Sequence, residues 1–241
     1  MIFQIFQSGL SVGQNLILLA IMLAVVLGSI MIHEVAHGYA SMLLGDMTAK
    51  REGRLSLNPL KHLHPIGTLC MIFCGFGWAK PVPIDPRYYK KPKSGMAVTA
   101  LCGPCVNLLI GVMATAQLTA LVWFWNSGMI KMIPLIGSLT EYGYELLRTG
   151  LYIVLYYNLL FAVFNLFPVP PLDGSRILFA LLPDRYYFGV MRYEKLIMIV
   201  MFFFLWSGFF TGVFEYVVDF IIRSVGALVI ALIEGAVSLA L

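Results

Sequence analysis

Residues 16–32 form a run of seventeen residues without a single ionisable group. As an α-helix rising 1.5 Å per residue, the stretch from Leu16 to His33 covers about 26 Å, most of the hydrocarbon core of a bilayer. Such a segment narrows the possible folds sharply, because in lipid each backbone N–H and C=O must find its partner inside the segment itself. Further long apolar runs recur at residues 95–125, 144–166 and 196–210, and residues 211–241 hold at least one more helix, with a break expected near Arg223. Only 12% of the residues are charged, against about a quarter in a soluble domain. The surplus apolar surface has to face lipid. The pattern predicts an α-helical integral membrane protein of five or six transmembrane helices in a single membrane-embedded domain, residues 1–241, with a core at about 28–180 and C-terminal helices at about 190–241.

The first run is not expected to be a cleaved leader. Nothing ionisable precedes His33, so a basic head is missing, and no small-residue cleavage site follows. Residues 65–77 are apolar over only ten to twelve positions, a length that suits a re-entrant segment. The following Lys80-Pro81-Val82-Pro83 reads as extended chain, since each proline biases its predecessor away from the helix. A re-entrant, β-like segment is therefore expected around residues 64–84. Residues 174–182 read as a short helix after the proline-rich Pro168-Val169-Pro170-Pro171.

Lysine and arginine orient the bundle. Nine of the sixteen lie in residues 50–93 and four in residues 176–195, whereas Lys131, Arg148 and Arg223 fall on the opposite side. Thirteen against three places the basic loops in the cytoplasm and the N-terminus outside, in a multi-pass protein of the cell membrane. The basic residues do not form the solvated cluster of a nucleic-acid surface. Cys70, Cys74, Cys102 and Cys105 sit in apolar surroundings and read as small buried hydrophobes.

The chemistry begins at His33-Glu34-Val35-Ala36-His37. Residues four apart share a helix face, so both imidazoles can converge on one metal ion, and Glu34 stands close enough to take a proton from metal-bound water. Such a site needs a third protein ligand and an open position. Asp173 lies on the same membrane side, after the third span; it reads equally as that ligand or as an N-cap of the helix beginning at Gly174. His62 and His64, in a basic loop, read as loop residues rather than ligands.

Together His33-Glu34-x-x-His37-Gly38, Gly45-Asp46, Gly53-Arg54-Leu55-Ser56-Leu57-Asn58-Pro59, Gly77-Trp78-Ala79-Lys80-Pro81-Val82-Pro83, Gly103-Pro104-x-x-Asn107 and Asn165-x-x-Pro168-x-Pro170-x-Leu172-Asp173-Gly174 closely resemble the site-2 protease family of intramembrane metalloproteases, in its compact form without a PDZ or CBS module. The resemblance implies one zinc ion per chain held by His33, His37 and Asp173, with Glu34 as general base and transmembrane proteins or peptides as substrates. It further implies that Asn165, and with it Asn107, contacts substrate backbone or a developing oxyanion. An extended segment containing Phe76, Gly77, Trp78, Ala79 and Lys80 is expected to pair with an unwound substrate as an added strand. The competing reading is a polytopic metal-ion transporter built on the same His, Glu and Asp residues. It calls for ligands along a path across the bilayer, and the outer halves of the spans offer few.

Overall fold

A computed structural model of the chain describes residues 11–65, 67, 69, 80–132, 140–183 and 193–240. Helix α1, Val12–Leu43, opens with a capping box: the Gln14 N–H donates to the Ser11 hydroxyl oxygen and the Ser11 N–H to the Gln14 side-chain oxygen. It closes at Leu44 and Gly45, whose φ of 110° belongs to glycine. A one-turn helix α2, Thr48–Arg51, and two 3-10 turns, Pro59–Lys61 and Pro86–Tyr88, carry the chain to α3, Pro92–Asn126. Helix α4, Glu141–Asn165, is capped by Thr140, which accepts the Gly143 N–H. The short α5, Asp173–Leu181, then α6, Glu194–Trp206, and α7, Thr211–Ala240, complete the order.

Helix α3 is the hub and touches α1, α4, α5 and α7. Its most extensive packing is with α4, where Gly111 receives Leu159: a Cβ on Gly111 would stand 2.6 Å from that side chain. Close backbone approach over small residues is how helices associate in lipid, where the hydrophobic effect does not press them together. Around this contact Ala114, Leu155, Leu159 and Val218 form a buried cluster, and Met22 and Val26 pack a second one between α1 and α4. Trp125 stacks on Tyr144 at 4.0 Å between centroids, joining the end of α3 to the start of α4. Phe164 and Phe167 meet Phe214 at the other end of α4. The four long helices therefore alternate in direction, with the ends of α1 and α4 and the starts of α3 and α7 on one side.

Four helices among the described residues are long and apolar enough to cross a bilayer: α1, α3, α4 and Gly212–Ser238 within α7. Five or six were expected. The difference lies at residues 196–210, which read as a span. Helix α6 has only 13 residues, about 20 Å, well short of the hydrocarbon thickness. It ends at Trp206, and Gly208 takes a φ of 74° in the turn that redirects the chain into α7. The break expected near Arg223 is absent, since α7 is continuous through it. Among the described residues no strand forms in residues 64–84; residues 80–85 are irregular, while Phe76, Gly77, Trp78 and Ala79 lie outside the described residues.

Candidate metal centre

His33 and His37 project from the same face of α1 and are 7% and 6% exposed. The third residue arrives from far along the chain. Helix α4 stops at Asn165, the proline-rich turn reverses direction, and Asp173 becomes the first residue of α5. That turn is packed without slack: a Cβ on Gly174 would lie 2.1 Å from the carbonyl oxygen of Leu166. The N-cap of α5 is Leu172, not Asp173.

The three side chains meet at a point. His33 Nε2 and His37 Nε2 are each 3.1 Å from Asp173 Oδ2 and 3.0 Å from one another. Both rings have their other nitrogen committed. His37 Nδ1 lies 2.7 Å from the Thr99 carbonyl oxygen and His33 Nδ1 lies 2.7 Å from Asn107 Oδ1. Those oxygens only accept, so each neutral ring carries its hydrogen on Nδ1 and turns the Nε2 lone pair inward. Two lone pairs and a carboxylate oxygen facing one another repel unless a cation lies among them. A tetrahedral zinc ion bound at about 2.0–2.1 Å holds its donors roughly 3.3 Å apart, within a few tenths of an ångström of the observed spacing. The residues present thus fit such an ion. Among the described residues this is the one His, Cys, Asp or Glu group so gathered.

Glu34 stands beside the triangle, and its Oε2 accepts the Val82 N–H at 2.9 Å. Pro81 and Pro83 have no N–H, so Val82 is the single donor of that stretch, and it is spent on the glutamate. Gly103 closes the other flank, where a Cβ would come within 2.5 Å of the His37 ring and 2.7 Å of the His33 ring.

The remaining predicted residues divide. Asn107 is fully buried and sits behind His33. Asn165 donates its amide to the Phe161 carbonyl one turn back, and no hydrogen bond among the described residues joins it to the triangle. Lys80 has both backbone groups engaged, its N–H with the His62 carbonyl and its carbonyl with the Arg54 guanidinium. His62 is buried and held to the Ser56 carbonyl, His64 accepts the Gly67 N–H, and neither joins the cluster. Cys102 and Cys105 are free thiols outside it.

Asp46, read from sequence only as part of the Gly45-Asp46 motif, proves to be a buried junction. It accepts from Ser41, from the N–H and hydroxyl of Thr48, and from the Asp85 N–H. Burial alone would push its carboxyl up, but the Asp85 N–H and the other donors outweigh it and hold the group below the ordinary carboxylate value. From Ser41 a chain of contacts runs through the Tyr89 hydroxyl to the Thr99 hydroxyl, on the residue whose carbonyl holds His37. On the half-buried Asp85, hydrogen bonds from the Arg87 guanidinium likewise hold the carboxyl low. The only sequence signal for the Asp46 junction was the Gly45-Asp46 pair itself.

The model of peptidase family M50 matches residues 21–208. The chain belongs to that family. The site-2 proteases anticipated from the motifs are this same family. Among curated relatives, "Putative zinc metalloprotease YwhC" of Bacillus subtilis is 40% identical over 162 residues, covering 64% of this chain and 66% of the relative. "Zinc metalloprotease MJ0392" of Methanocaldococcus jannaschii is 27% identical over 188 residues, 78% of this chain and 41% of the relative. "Putative zinc metalloprotease Rip2" of Mycolicibacterium smegmatis is 24% identical over 151 residues, 61% and 51% of the respective chains. The chain thus spans between 41% and 66% of the length of these relatives. No solved structure matches it significantly.

Proposed function

We propose that this M50 chain is an intramembrane zinc endopeptidase that hydrolyses peptide bonds of transmembrane proteins near the cytoplasmic face of the cell membrane. The observation that carries the reading is the triangle of His33 Nε2, His37 Nε2 and Asp173 Oδ2, with their partners arranged so that only a cation reconciles them. These three side chains would hold the zinc ion. When bound, the ion supplies the acidity of a coordinated water and polarises the scissile carbonyl.

The chain's own groups do the rest. Glu34, fixed at one oxygen by the Val82 N–H, keeps its other oxygen for a proton from the attacking water and returns that proton to the leaving amine. Asn165 has one amide hydrogen on Phe161, and the second is assigned to substrate backbone or to the developing oxyanion. The added-strand interaction proposed for Phe76, Gly77, Trp78, Ala79 and Lys80 does not draw on the Lys80 backbone, which is already paired. Asn107 belongs behind the ligand His33, buried and bonded to its Nδ1.

The test is a cleavage assay on single-span substrates joined to metal analysis of the purified protein. Glu34→Gln retains zinc and loses at least about 100-fold in rate, the lower end of what a general base contributes. His37→Ala loses both zinc and cleavage. Undiminished proteolysis by the glutamine variant overturns the assignment.

A further inference from the structure

We propose that Asn158 and Ser29, which lie outside the motifs, are positioning residues that decide which nitrogen of His33 is free to bind metal. The inference rests on the zinc reading above and extends it to residues with no contact to the ligand atoms.

His37 needs no help of this kind. Its Nδ1 faces the Thr99 carbonyl, a backbone group that can never donate. His33 faces a side-chain amide instead, and an amide is nearly symmetrical in shape. Turned one way, Asn107 presents its oxygen to Nδ1 and leaves Nε2 bare. Turned the other way, it presents its NH2, the ring hydrogen moves to Nε2, and the metal-binding lone pair is gone. Something must hold Asn107 in the first orientation.

Asn158 does so from the middle of α4, where it is 1% exposed. Its Nδ2 lies 2.8 Å from the Val154 carbonyl oxygen and 2.9 Å from the Ser29 hydroxyl oxygen. The Ser29 hydroxyl donates to the Val25 carbonyl at 2.7 Å, so towards Asn158 it only accepts. Two backbone carbonyls therefore fix Asn158 with its nitrogen towards Val154 and Ser29. Its Oδ1 is left facing Asn107 Nδ2 at 2.8 Å. Asn107 must then give its nitrogen to Asn158 and its oxygen to His33. The ring hydrogen of His33 is set by a relay across α1, α4 and α3 whose ends are groups that cannot change role. Buried in a membrane domain, each member costs free energy if left unpaired, which makes the arrangement all-or-none.

The experiment measures zinc affinity of the full chain in detergent by competition with a chromophoric chelator, alongside thermal melting. Asn158→Leu keeps the volume and leaves the Asn107 amide only its long 3.4 Å contact with the Ser29 carbonyl oxygen, too weak to stop it turning; its zinc affinity is expected to fall about 10- to 100-fold, the usual cost of losing a group that orients a ligand. Adding Asn107→Asp to that variant is expected to restore most of the loss, because a carboxylate offers His33 an acceptor whichever way it turns. Thr115→Val removes an equally buried hydroxyl, bonded within its own helix to Gly111, and is expected to leave affinity unchanged. If Asn158→Leu does not fold, Ser29→Ala carries the same test, with a several-fold loss of zinc affinity and melting close to that of the wild type expected. Wild-type affinity in the variant that folds, or no recovery with Asn107→Asp, overturns the relay while the zinc reading stands. Absence of tight zinc binding by the wild-type chain overturns both.

Discussion

At Gly103 the backbone of α3 comes against both candidate ligand rings, with room for a hydrogen and nothing larger. The rings have nowhere to retreat, because Thr99 and Asn107 hold them from behind at 2.7 Å. Alanine at this position favours the helix by roughly 0.5–1 kcal/mol over glycine, so Gly103→Ala leaves helix content intact. What it disturbs is the spacing of the Nε2 atoms. The variant is expected to purify folded and with less than a tenth of the wild-type zinc, by metal analysis per chain; full zinc occupancy refutes this reading of the close approach. At this scale the sequence was informative where chemistry follows from spacing alone. Two histidines four apart on a helix are legible anywhere. For Asp173 the residues alone left ligand and cap open and only the resemblance made it a ligand, because its carboxylate meets His37 across 136 positions of chain. Asn158 and Thr99 had no signal at all, since their roles exist only through neighbours on other helices.

Asp46 shows the same limit for whole elements. It joins the end of α1 to the start of α2 and, through the Asp85 N–H, to the segment whose Val82 amide holds Glu34. Removing its charge leaves these donors facing an amide that cannot accept from them all. Asp46→Asn is therefore expected to cost about 1–3 kcal/mol at pH 7, the penalty of buried donors left unmatched. The pH dependence has a definite sign. The folded carboxyl lies below its ordinary value, so its contribution is complete above the unfolded value of about 3.9 and is lost as pH falls towards the folded one. Thermal melting in detergent at pH 7 and pH 3 should show the gap between wild type and Asp46→Asn narrowing at the lower pH; a constant gap refutes the assignment. Elements defined by composition were legible: α1, α3 and α4 fall where long uncharged runs required them. Helix α6 lies close to the expected 196–210 and is divided from α7 as expected, by the turn at Ser207-Gly208, but its 13 residues are too few for the span that the apolar run suggested.

For the molecule as a whole, the alternation of α1, α3, α4 and α7 puts the metal-centre end of the bundle on the side of residues 50–93, where nine lysines and arginines lie. Lys90, Lys91 and Lys93 are exposed there, and Arg148 lies near the start of α4 at the other end. The charge difference carries the proposal that the candidate site faces the cytoplasm. That orientation bears on catalysis, since hydrolysis inside a bilayer needs a wet route to a buried centre, and the polar connections around Asp46, Arg54 and Glu34 all lie on this face. Trypsin added to inverted membrane vesicles is expected to cut after Lys90, whereas sealed right-side-out cells should protect that bond. The reverse pattern would place the metal centre at the outer face, with substrates and water reaching it from outside the cell, and the charge argument would fail with it.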